Sequence, residues 1–194
     1  MIPFYGFSLP SLLLSLGFAS LIMLATSSLI GHLLQVVRIR YYHYTLTATL
    51  QQQLNQIAQE VKRAGFRNTI HQPAGLPPLK TPIVIGHYPG ESINSCLLFY
   101  YDRNRDNFSG YQKIATTIGY RLHQGNLETQ HGVNHCQGGR WEDLFDKQMI
   151  TIQRFQLLHS SDNRWLQLTL QGKLTQQPQI TQQRQAIVAL ENLP

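Results

Sequence analysis

The sequence predicts an α+β fold, with a long N-terminal helix, first membrane-spanning and then amphipathic, packed on an antiparallel β-sheet. Three observations predict it. Residues 1–37 contain no Asp, Glu, Lys or Arg; residues 46–64 carry apolar side chains at helical spacing; beyond residue 95 the apolar period changes to two. At 194 residues there is room for one ordinary domain and an extra element, but not comfortably for two domains.

The helix comes first. From Phe7 to Ile30 the chain reads FSLPSLLLSLGFASLIMLATSSLI, 24 residues without a charge, enough to cross a hydrocarbon core of about 30 Å. A cleaved secretory signal has a basic start, an apolar run of about 7–15 residues and a small-x-small site. Here the start, MIPFYG, has neither Lys nor Arg and the run is too long, although LATSS around Ala25 offers a weak cleavage motif. Past the span, Leu46, Leu50, Leu54, Ile57, Val61 and Ala64 follow at steps of three and four and make one stripe. Polar residues such as Gln51, Gln52, Asn55, Glu60 and Lys62 fill the other faces, and Gly65 stands where a helix-ending cap belongs. One helix over residues 7–64 would be about 87 Å long at about 1.5 Å per residue. On this reading residues 7–37 are the transmembrane and assembly segment and residues 38–64 its amphipathic continuation; the alternative is a membrane anchor joined by a flexible break near Gly31 to a separate core helix.

Residues 71–95 are rich in Pro and Gly around a short apolar run, Ile83–Ile85. Strands are then expected at Cys96–Tyr101, at Ile118–Leu122 and Leu127–Thr129 flanking the turn-like HQGN, and at Met149–Leu158, Arg164–Leu174 and Ile180–Leu190. Leu166, Leu168 and Leu170 alternate with Gln167, Thr169 and Gln171, the pattern of a half-solvated antiparallel sheet. The helix stripe is the natural cover for its apolar face, which gives a β-rich domain over 65–194.

The only cysteines are Cys96 and Cys136, with no CxxC arrangement. In an exported domain such a pair reads as a disulfide; closing roughly 40 residues would contribute about 4 kcal/mol on the chain-entropy model. In a cytosolic protein the two would be unrelated buried thiols. The formal net charge is +6 without any Lys/Arg block of five or more. This modest excess suits a phospholipid surface, nucleic acid or an acidic partner without selecting among them.

Catalytic signals are lacking. There is no nucleophile–base motif, phosphate-binding Gly-rich loop or paired-carboxylate spacing. Asp102, Asn104 and Asp106 alternate as oxygen ligands of a calcium loop do, but Asn107 and Lys113 stand where an EF-hand has Gly and Glu, so an ordinary Asx-rich turn explains them as well. His123, His131, His135 and Cys136 make zinc conceivable, although the cysteine is better used in a disulfide. Phe99, Tyr100, Tyr101, Phe108, Tyr111 and Tyr120, interleaved with Arg103, Arg105 and Arg121, could stack the bases of single-stranded nucleic acid. Alternating positions in a sheet core account for most of them.

Gly6-Phe7-Ser8-Leu9, followed directly by the charge-free helix, resembles the type IV prepilin signature. The segments YYDRNRDN, IGYRLHQGNLET and HCQGGRWEDL extend the resemblance to minor prepilins of the PulJ/PilW type. The resemblance implies a leader, residues 1–6, cut by a prepilin peptidase between Gly6 and Phe7, with N-methylation of Phe7. It implies a pilin-like fold, held in a bacterial inner membrane by its helix with the domain in the periplasm. It also implies a non-catalytic role without cofactors, in which the subunit joins other minor and major prepilins to initiate assembly of a type IV pilus, near its tip. A pseudopilin of a type II secretion system shares this anatomy, and a membrane-anchored periplasmic binding module is the rival from another class.

Three positions depart from the family pattern. Ser11 stands where pilins usually carry the Glu that pairs with a neighbour's N-terminal ammonium, after a Pro10 that the first helical turn tolerates. Arg38 and Arg40 follow the span, so the positive-inside tendency would leave the domain in the cytoplasm, against the cysteine pair and the family pattern. Ser28 replaces the mid-span Pro of many pilins, so any local unwinding would arise at Ser27–Ser28 or Gly31.

Overall fold

The computed structural model describes residues 9–66, 82–101, 116–162 and 164–192. They form one helix, α1 (Leu9–Val61), and eight strands: β1 (Ile83–Gly86), β2 (Cys96–Tyr101), β3 (Thr116–His123), β4 (Asn126–His131), β5 (Glu142–Asp143), β6 (Ile150–His159), β7 (Trp165–Leu174) and β8 (Thr181–Ala189). Contacts divide the chain into two compact units, one up to Tyr42 and one from His43 onward.

The first unit is the apolar part of α1, which runs without interruption through Ser27, Ser28 and Gly31. Pro10 lies in the first described turn of α1 and is accommodated there.

In the second unit the stripe becomes core. Leu46, Leu50, Leu54, Ile57, Val61 and Ala64 are all buried, and each fully enclosed leucine stabilises the fold by about 2 kcal/mol. After Val61 the chain tightens into i→i−3 bonds, Arg63 N–H to the Glu60 carbonyl and Ala64 N–H to that of Val61. Gly65 then takes a φ of 79°, and its N–H donates to the Tyr100 carbonyl at 2.8 Å. The helix therefore ends on β2, which accepts the bond that a helical carbonyl would accept in a self-contained cap.

All strand pairs are antiparallel, in two sheets ordered β1-β2-β3-β4-β5 and β6-β7-β8. The HQGN turn closes β3–β4 with His123 opposite Asn126, leaving Gln124 and Gly125 as a two-residue loop with φ of 47° and 74°. Positive φ at both loop residues is what a type I′ hairpin requires. In the second sheet Leu166, Leu168 and Leu170 are fully buried, and Gly172 on the same face leaves room for Leu50, whose Cδ2 is 3.2 Å from where a Cβ would stand. The half of α1 beyond His43 thus covers the second sheet at β7 and, through Glu60 and Tyr120, reaches the first.

The expected antiparallel strands divide between two sheets. The outer edge of β6 meets the first sheet through Ile152 N–H to the Gly125 carbonyl at 2.7 Å and Leu157 N–H to the Asn94 carbonyl at 3.0 Å. Both acceptors sit in turns with positive φ, and a bulge interrupts β6 between Ile152 and Arg154, so no ladder propagates from one sheet to the other.

Candidate functional site: an exposed apolar helix and a braced disulfide

Within the first unit every described residue from Leu9 to Tyr41 is exposed, including Leu13, Phe18, Leu21, Met23, Leu24 and Ile30 at about 60–70%. A soluble protein does not leave such a surface to water, and the stretch is long and apolar enough to cross a membrane. Its polar groups are matched to that use. The hydroxyls of Ser15, Ser20 and Ser27 donate to the carbonyls of Leu12, Gly17 and Met23 at 2.8–2.9 Å, and that of Thr26 to Ile22 and Met23 at 3.0 Å. Hydroxyls bonded back to the helix enter lipid or a protein contact at low desolvation cost.

Pro10, Leu13, Leu14, Gly17, Phe18 and Leu21 line a shallow apolar notch along one side of α1. Nothing lies within 4 Å of a Cβ built on Gly17, so this position admits the close approach of another helix. Ser11 lies in the first turn beside the notch. Gly6 and Phe7, the expected cleavage and methylation residues, lie outside the described residues.

In the second unit Cys96 of β2 is bonded to Cys136 of the loop between β4 and β5, with Cα atoms 6.1 Å apart. Leu98, Val133 and Trp141 pack around it. Arg121 braces this region: its Nε donates to Glu128 Oε2 at 2.7 Å, and its Nη1 to the carbonyls of Cys136 and Gly138 at 2.8 and 3.2 Å. The guanidinium lies 4.3 Å from the Trp141 ring and 4.8 Å from that of Tyr88, so the cation is enclosed by aromatic faces as well as by acceptors. His123 Nδ1 meets the second oxygen of Glu128 at 3.0 Å, and the His123 ring packs against Tyr88 in a tilted arrangement with centroids 4.4 Å apart. The brace was not anticipated from the sequence, although the hairpin register contains half of it.

The other candidate residues fall apart as ligand sets. Cys136 is in the disulfide, His123 is held by Glu128, and His135 Nδ1 contacts the Gln137 carbonyl at 2.6 Å. No group of three potential metal ligands occurs among the described residues. Asp102, Asn104 and Asp106 lie outside the described residues, as do Arg103, Arg105, Phe108 and Tyr111. Of the aromatics read as a possible base-stacking surface, Phe99, Tyr101 and Tyr120 are buried, with the ring of Phe99 6.3 Å from each of the other two. Arg121 is committed to Glu128.

An uncovered apolar helix that becomes amphipathic and closes an antiparallel domain is the architecture of a type IV pilin. The structure resembles a type IV-like pilin from Thermus thermophilus, with a TM-score of 0.52 at 10% identity, covering 76% of this chain and 97% of that one. In sequence, residues 40–190 match the model of the family described as prepilin peptidase-dependent protein B, and the chain belongs to that family. It is 23% identical to the prepilin peptidase-dependent protein B of Escherichia coli over 79% of this chain and 76% of that protein. It is also 26% identical to an uncharacterised protein of Haemophilus influenzae, over 77% of this chain and 81% of the relative.

Proposed function

We propose that this chain is a minor pilin that helps to initiate assembly of a type IV pilus and sits near its tip. On this reading a prepilin peptidase removes residues 1–6, Phe7 is N-methylated, and α1 then anchors the subunit in the inner membrane with the disulfide-closed domain in the periplasm. Other minor and major prepilins are its partners, and its role is structural rather than enzymatic. The observation that carries the reading is the uncharged, wholly exposed stretch of α1, Leu9–Val37. Such a surface requires lipid before assembly and neighbouring helices after it. Co-expression with a prepilin peptidase followed by mass spectrometry of the membrane-isolated protein tests processing. A chain starting at methylated Phe7 is expected; one still starting at Met1, or shortened near Ala25 and released, overturns it.

The position near the tip is supported by Ser11. A subunit that enters first meets no predecessor whose N-terminal ammonium needs neutralising, and a carboxylate buried there without a partner is costly. Ser11→Ala should therefore assemble normally, whereas Ser11→Glu should displace the subunit from the tip or slow initiation. Unchanged tip occupancy in Ser11→Glu, together with lost assembly in Ser11→Ala, sinks this assignment.

A further inference from the structure

We propose that Arg38, Arg40 and Tyr41 form a collar that binds the phosphates of anionic phospholipid headgroups; the inference rests on the reading of α1 as a retained anchor. The sequence carries no Asp, Glu, Lys or Arg before Arg38, and the described helical part of that run, residues 9–37, rises roughly 43 Å at about 1.5 Å per residue. That matches the 40–45 Å, approximately, of a bilayer with its headgroup layers, around a hydrocarbon core of about 30 Å. With Leu9 in one headgroup layer, Ser11 lies in the same layer, His32 falls at the far edge of the hydrocarbon, and Arg38 emerges among the headgroups of the opposite leaflet.

The chemistry at that point fits phosphate. Arg38, Arg40 and Tyr41 are exposed, and no ion pair engages either arginine among the described residues. The first acidic residue of the sequence is Glu60, twenty positions beyond Arg40. Arginine forks match phosphate oxygens in pairs, and tyrosine is favoured where an apolar ring meets a wet boundary. Tyr41 follows Arg38 by three positions, so the two are neighbours on the helix surface. Arg40 lies roughly 200° from Arg38 around the axis. The arginines therefore address different lipids around the helix, which makes a collar rather than a pocket.

The test uses the full chain reconstituted in phosphatidylcholine vesicles with trace spin-labelled phosphatidylglycerol or spin-labelled phosphatidylcholine, electron spin resonance reporting the protein-bound fraction. The wild type should prefer phosphatidylglycerol, by up to roughly fivefold for each arginine, with the preference shrinking as salt rises. Arg38→Gln/Arg40→Gln should bring the two lipids to parity. In Tyr41→Trp, after subtraction of the Trp141 and Trp165 signal, lipids brominated near the headgroup should quench more than lipids brominated at the chain ends. Parity in the wild type, a preference that survives the double substitution, or stronger quenching from the chain ends overturns the collar while leaving the anchor intact. A chain that alkaline carbonate washes off the vesicles overturns the anchor, and the collar with it.

Discussion

Arg121 and Glu128 stand directly opposite each other on β3 and β4, Nε to Oε2 at 2.7 Å, with side chains only 4% and 7% exposed. Breaking a buried ion pair by removing one partner costs about 3–5 kcal/mol, because the remaining charge is stranded. Arg121→Leu should therefore lower stability by about that much, and the Arg121→Leu/Glu128→Leu double variant by less than the sum of the singles. Denaturant titration of the full chain in mild detergent, read by the fluorescence of Trp141 and Trp165, measures both. Arg121→Leu should also speed hydrogen exchange across residues 136–138, where the guanidinium holds the carbonyls of Cys136 and Gly138.

Gly119 of β3 has no space for a side chain. A Cβ there would stand 2.7 Å from Trp141 Cη2 and from Val133 Cγ1, and 2.9 Å from Leu98 Cδ2. Gly119→Ala should cost about 1–3 kcal/mol by overpacking and should change the near-UV circular dichroism of Trp141. Gly172→Ala is the comparison: its nearest neighbours, Leu50 Cδ2 at 3.2 Å and Ile152 Cδ1 at 3.3 Å, stand further from the added Cβ and need give way by only a few tenths of an ångström. Thermal unfolding should rank Gly119→Ala well below Gly172→Ala in stability.

The sequence is most informative where structure follows from spacing. The Leu46-to-Ala64 stripe is buried in full because a helix places those positions on one side, and Leu166, Leu168 and Leu170 alternate into the core for the corresponding reason in a strand. HQGN fixed more than a turn: with Gln124-Gly125 as the loop, counting back from His123 and Asn126 pairs Arg121 with Glu128. Tyr88 and Trp141, which complete the brace, arrive from loops 33 and 20 residues away, and no local pattern announces them. The split into two sheets depends on the backbone of Asn94 and Gly125 rather than on side-chain periodicity. β5 has only two residues, too few to show a period. Gly6, Phe7 and Ser11 were read from resemblance, since what they do depends on a peptidase and on neighbouring subunits rather than on packing within this chain.

Tyr120 and Glu60 join β3 to the last full turn of α1, the phenol donating to Oε2 at 2.6 Å. Burial pushes the Tyr120 pKa far up, and the hydrogen bond to Glu60 and its negative charge push it further. The folded state thus holds this proton more tightly than the unfolded state does. The associated stability is complete below the unfolded value of about 10 and is lost as pH rises above it, with a slope of about 1.4 kcal/mol per pH unit for one proton. Tyr120→Phe should cost about 1–2 kcal/mol at neutral pH through the lost charge-assisted bond, and should flatten the alkaline limb relative to wild type. Glu60→Gln removes the anion but not the burial, so its decline should start at the same pH and level off sooner. Denaturant midpoints between pH 8 and roughly 11.5, well past the unfolded tyrosine value, measure this; superimposable alkaline limbs in wild type and Tyr120→Phe would mean that the buried phenol does not govern them.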